Sequence, residues 1–184
     1  MYFNISCSNH MKNSNNKIFI CKGVNSAIAL LQSNRFDIIN IDILKDSRAG
    51  REQRIKDLIK DHFVSYLNKG EFYKKFNEGR TQGIAVEFSG RLTENILPSF
   101  KKSSDVCLLA LDQIEDPQNF GQIIRTADCA GVDGIIFPQH HSAPITHTVL
   151  QVSQGAFVNM PLYQLTNLSQ GINELKDNGF WIIG

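Results

Sequence analysis

The side chains best suited to chemistry are concentrated in DQIEDPQNFGQIIRTADCAG, residues 112–131: Asp112, Glu115 and Asp116, then Asn119, Gly121 and Arg125. The segment follows an apolar run, VCLLAL at 106–111, and opens a helical pattern. It is therefore a turn at the C-terminal end of a strand, where open α/β sheets bind their ligands. Asn119 is a suitable N-cap, and Gly121 would let a ligand approach the backbone of the first helical turn. Free N–H groups and partial positive charge at a helix start favour an anion such as an RNA phosphate. At 100° per residue, Arg125 falls off the apolar stripe of Ile123, Ile124, Ala127 and Ala130, which leaves its guanidinium free to bind.

Other chemistries fit these residues less well. Three carboxylates could hold Mg²⁺, but no further ligands are evident. No G-x-G-x-x-G follows the strand, which counts against a dinucleotide site. A plain surface role for Arg125 stays open. His140, His141 and His147 lack a Cys or carboxylate at ligand spacing, so no metal is expected. Cys107 and Cys129 sit among apolar residues and read as small buried hydrophobes in a reducing compartment.

The elements that would position this loop form a regular series. Strands are expected at 106–111, 134–137, 162–165 and 180–183, with helices across 119–130, 146–156 and 168–178. Strands alternating with helices imply βαβ units and a parallel sheet, and the apolar run at 106–111 implies a strand buried on both faces. Ahead of it, strands are expected at 18–20, 38–44, 64–67 and 84–88. Helices are expected at 23–31 and 51–63, with a helical turn bearing Phe72, Tyr73 and Phe76. This makes a small three-layer α/β domain. The expected organisation is a disordered tail over 1–16, a first domain over 17–89, a linker over 90–105 and a second domain over 106–184.

Charge divides the chain the same way. Its formal net charge is +1, yet residues 1–91 carry 15 Lys and Arg against 9 Asp and Glu, and residues 92–184 carry 4 against 9. A basic first half suits a polyanion. No apolar run approaches bilayer length, and the polar start lacks the core of a secretory signal, so a cytoplasmic protein is expected.

DPQNFGQIIRTAD resembles the first signature of the SpoU/TrmH family of RNA 2′-O-ribose methyltransferases, DP-x-N-x-G-x-x-x-R-x-A. GVDGIIF, SQGAF and MPLYQLTNL are similar to its later segments. GVNSAIALL and RTQGIAV resemble the start and end of its small RNA-binding domain, with Thr81 standing where that family usually has His. The resemblance covers about residues 18–184. It implies a Rossmann-like, knot-family methyltransferase domain and methyl transfer from S-adenosylmethionine to a ribose hydroxyl of rRNA or tRNA. It implies Arg125 and Asn119 as catalytic residues, Glu115 as polar support, and Arg80, Gln82 and Gly121 in RNA binding. The family's second and third signatures, which form its knotted S-adenosylmethionine pocket, and its dimer-forming last helix do not occur in this sequence. The expectation is thus the first part of such an enzyme, homodimeric in its intact form, with no S-adenosylmethionine-binding residue of its own. The alternative is a noncatalytic RNA-binding remnant.

Overall fold

The computed structural model describes residues 17–77, 81–100 and 105–184; the expected tail over 1–16 and Arg80 lie outside them. The first unit runs β1 (Ile18–Lys22), α1 (Val24–Gln32), β2 (Asp37–Leu44), α2 (Arg48–Arg51), α3 (Gln53–Leu58), β3 (Val64–Leu67), α4 (Lys69–Phe76) and β4 (Ile84–Ser89). Its sheet has the order β1-β4-β2-β3, with β4 antiparallel to both neighbours and β3 parallel to β2. The two-residue alternation of β4 sets the layers. Ile84, Val86 and Phe88 pack with Leu30 of α1 and Ile55 of α3, while Ala85 packs with Phe72 and Phe76 of α4. Asn68 starts α4 with a reciprocal capping box to Glu71. On the α4 side, the buried Asp42 carboxylate meets Lys75 Nζ at 2.8 Å, and the same ammonium meets Glu87 at 2.8 Å.

The second unit runs β5 (Leu108–Ala110), α5 (Pro117–Cys129), β6 (Gly134–Pro138), α6 (His147–Val152), α7 (Ala156–Asn159), β7 (Leu162–Leu165) and α8 (Leu168–Asp177). Its sheet is parallel throughout, in the order β5-β6-β7. Phe120, Ile124 and Ala127 of α5 are buried at helical spacing, with the Phe120 ring 5.0 Å from that of Phe137 on β6. This is the fold of a small mixed α/β unit followed by a parallel, Rossmann-like sheet.

Several expected elements form differently. The 51–63 helix is two short pieces, and Phe63 is 75% exposed. Its carbonyl has already joined the sheet, accepting from Ile41 N at 3.2 Å. β5 is not buried on both faces: among the described residues it pairs only with β6, at the edge of its sheet, and Ala110 is exposed. Cys107 and Cys129 are exposed as well, the first beside that edge strand and the second off the buried stripe of α5. Among the described cysteines Cys21 is the buried one, its pKa pushed up to about 12 by loss of solvent. No strand forms at 180–183. Trp181 and Ile183 are each 93% exposed, and Phe180 instead donates its N–H to the Leu175 carbonyl at 3.0 Å, closing α8.

The segment expected as a linker is packed along its described part. Glu94 bridges to β7, donating to the Leu162 carbonyl (2.8 Å) and accepting from Gln164 N (2.7 Å), and Leu92 and Leu97 are buried. The two sheets share one apolar core in which Phe88 lies 5.3 Å from Phe36 and 5.8 Å from Phe157. Arg35 ties the seam, its guanidinium donating to the carbonyls of Val158 and Met160 (both 3.4 Å) and Leu92 (3.5 Å). Aromatic burial and these polar ties hold the units as one body, so a cleft between them has fixed walls.

Candidate nucleic-acid interface

Where α5 and α6 meet the start of α1, a cleft of about 940 Å³ opens between the two units. α5 contributes Arg125, Gln122 and Thr126, and α6 contributes His147 and Gln151. The first unit contributes Lys22 from the end of β1, Asn25 from the first turn of α1, and Gln82. The amphipathic pattern of α5 explains the position of Arg125, since its burial-driven face turns to β6 and α6 and the guanidinium faces away. His147 and Gln151 are one helical turn apart and share a face of α6.

The electrostatics of the cleft have one sign. Among the described residues, Lys22, Arg125 and His147 line it and no Asp or Glu does. None of the ion pairs among the described residues engages Arg125. Lys22 is anchored, donating from Nζ to the Phe76 carbonyl at 2.6 Å. Burial holds the His147 imidazole below its usual pKa, and the nearby Lys22 charge adds to the effect. A cationic groove without carboxylates attracts phosphate.

Of the residues singled out from sequence, the structure brings Arg125 and Gln82 together. Gln82 sits in a tight turn at φ 53°, where its side-chain oxygen accepts from Val24 N at 2.7 Å and so caps α1. Asn119 and Glu115 are exposed and do not line the cleft. Asn119 is not the N-cap: Asp116 is, accepting from Gln118 N at 2.9 Å, with Pro117 in the first helical position. Gly121 is buried rather than open to a ligand. A Cβ there would lie 2.8 Å from Val152 Cβ and 3.0 Å from the Val149 carbonyl oxygen, so its missing side chain makes room for α6. Thr81 is 1% exposed and accepts from Gly83 N at 3.3 Å, which removes it from any RNA contact.

Sequence reasoning missed Lys22, Gln151 and the placement of His147. The i, i+4 spacing of the last two was a usable signal; the approach of β1 to α6 was not legible, because it depends on how the units dock. Among the described residues, no group of three His, Cys, Asp or Glu is placed to hold a metal ion.

A second cavity of about 450 Å³ lies at the C-terminal ends of the parallel strands, between Asp112, His140, His141 and Asn167. These four are exposed, and the buried polar atoms left without partners, Thr146 Oγ1 and Gln151 Oε1, lie elsewhere.

Comparison with known proteins bears on both units. Residues 107–184 match the SpoU rRNA Methylase family. A "Putative TrmH family tRNA/rRNA methyltransferase" of Staphylococcus aureus (strain COL) is 49% identical over 84 residues, 46% of this chain and 34% of that protein. The AdoMet-bound rRNA methyltransferase of Sinorhizobium meliloti superposes with a TM-score of 0.65 at 22% identity, over 88% of this chain and 59% of its own. An RNA 2′-O ribose methyltransferase gives a TM-score of 0.65 at 16% identity, over 89% and 60%. The match spans about a third of the curated relative's length, and the structural likeness shows that both units together carry the fold of those enzymes. Residues 107–184 are thus similar to the SpoU rRNA methylase family.

Proposed function

We propose that this chain supplies the RNA-binding unit and the first catalytic loop of an RNA 2′-O-ribose methyltransferase acting on rRNA or tRNA. The observation that supports the reading is Arg125, in none of the ion pairs among the described residues, in a cleft whose described charged lining is all basic. S-adenosylmethionine would supply the electrophilic methyl group.

The chain's own contribution is alignment and charge. A ribose hydroxyl is a poor nucleophile, so it must be held in line and its developing negative charge stabilised. A guanidinium stays protonated in proteins, which makes Arg125 a clamp on the adjacent phosphate and an electrostatic partner for the forming alkoxide. Lys22 and the start of α1 would fix the RNA backbone from the opposite wall. Asn119 and Glu115 act, in this reading, on the exposed side of α5 and the loop before it. Homodimerisation would belong to the intact enzyme.

Titration of a labelled single-stranded RNA with the purified chain tests the proposal. Binding is expected, weakened by about tenfold in Arg125→Ala. An absence of RNA binding, or an Arg125→Ala variant that binds as well as the parent, would contradict it.

A further inference from the structure

Asn25 lines two cavities: the cleft, and a groove of about 260 Å³ that follows α1 away from it. Asn25, Ile28, Ala29 and Gln32 lie at helical spacing on one face of α1 and line this groove. Gln32 is seven residues beyond Asn25, so the groove runs for about 10 Å along the helix. Its other walls are Arg54 from α3 and Asn159 from α7. Like the cleft, it is therefore bounded by both units, whose shared core fixes its shape.

The lining suits a polyanionic strand. Asn25, Gln32 and Asn159 are exposed amides, each able to donate and to accept. Arg54 is exposed, and among the described residues no Asp or Glu lines the groove beside it. Asp57, three residues along α3, is already engaged by Lys60 at 3.0 Å and by Gln53 at 3.1 Å. Arg54 enters none of the ion pairs among the described residues. The described walls belong to helices and their ends, so no strand edge is offered on which an extended peptide could pair.

We propose that the RNA strand held in the cleft continues past Asn25 into this groove, where Arg54 takes a second phosphate of the same strand. The inference rests on the reading that RNA occupies the cleft. Continuity through Asn25 gives the path, and the basic sign of both linings gives the attraction. Half-buried Ile28 and Ala29 leave a floor without aromatic rings, which suits backbone contact better than base stacking.

The test is a salt titration of binding to a single-stranded RNA of about 16 nucleotides, long enough to span both cavities. It compares the parent, Arg54→Gln, Arg54→Lys, Lys56→Gln and Arg125→Ala, with thermal melting to confirm folding. Lys56 is the control, because it is exposed on the same helix but does not line the groove. Arg54→Gln is expected to bind about fivefold more weakly, with a log–log salt slope shallower by about 0.7, the value of one single-strand phosphate. Arg54→Lys should keep the parent's slope, and Lys56→Gln should change little. A parental affinity and slope in Arg54→Gln overturn the inference, and so does an equal slope change in Lys56→Gln, which would reduce the effect to general charge. If Arg125→Ala still weakens binding in either case, RNA in the cleft survives and only its continuation falls. If the parent binds no RNA, both fall together.

Discussion

Gly155 and Ser26 bring the two units together backbone against backbone: a Cβ at Gly155 would lie 3.1 Å from Ser26 Cα and equally close to the Asn25 carbonyl oxygen. Gly155 also holds φ +97°, a region side chains disfavour. It separates α6 from α7 and sets α6, with His147 and Gln151, against the start of α1. Gly155→Ala should lower stability by about 1–3 kcal/mol, read as a shifted urea midpoint, and should weaken RNA binding. Unchanged stability would mean that the seam yields easily and does not set the cleft.

A second close approach holds α5 against α6. Gly121→Ala would drive a Cβ to 2.8 Å from Val152 Cβ. Overpacking of this kind costs about 1–3 kcal/mol, against about 1 kcal/mol returned by helix propensity. A net loss is therefore expected in the parent and little or none in a Val152→Ala background, measured as a double-mutant cycle. Equal losses in both backgrounds would show that Val152 is not the obstacle.

RNA binding in this cleft is expected to depend on pH through His147. Its folded pKa lies below the usual 6.5, first through burial and then through Lys22. A depressed value means the group's contribution to stability is present above about 6.5 and lost as pH falls through the folded value. A phosphate in the cleft reverses the balance by favouring the imidazolium, so RNA binding takes up a proton. Affinity should rise as pH drops from about 7.5 to 5.5 at fixed ionic strength, more steeply in the parent than in His147→Gln. Identical profiles would remove His147 from the interface.

Much of this architecture was legible from local pattern. The stripe on α5 gave both the helix and the free face of Arg125, because periodicity reports directly which side is buried. The elements that formed differently depend on distant partners. FWII at 180–183 has strand composition, but no neighbouring strand pairs with it. The helix across 146–156 breaks because α1, more than a hundred residues earlier in the chain, approaches Gly155. Gly121 reads equally as a ligand approach or as a helix contact until α6 is in place. For the same reason the cleft itself was invisible: its walls come from both units, and among its described residues only Arg125, Gln82 and the i, i+4 pair of His147 and Gln151 carried a local signal.

The central claim is that Arg125 holds an RNA phosphate, and the salt dependence of binding tests it most directly. The logarithm of the association constant should fall linearly with the logarithm of salt concentration, and each single-strand phosphate neutralised contributes about 0.7 to the slope. Arg125→Ala should bind more weakly with a slope shallower by about that amount. A slope identical to the parent's would mean that the guanidinium contacts no phosphate, and the account of this cleft would be wrong.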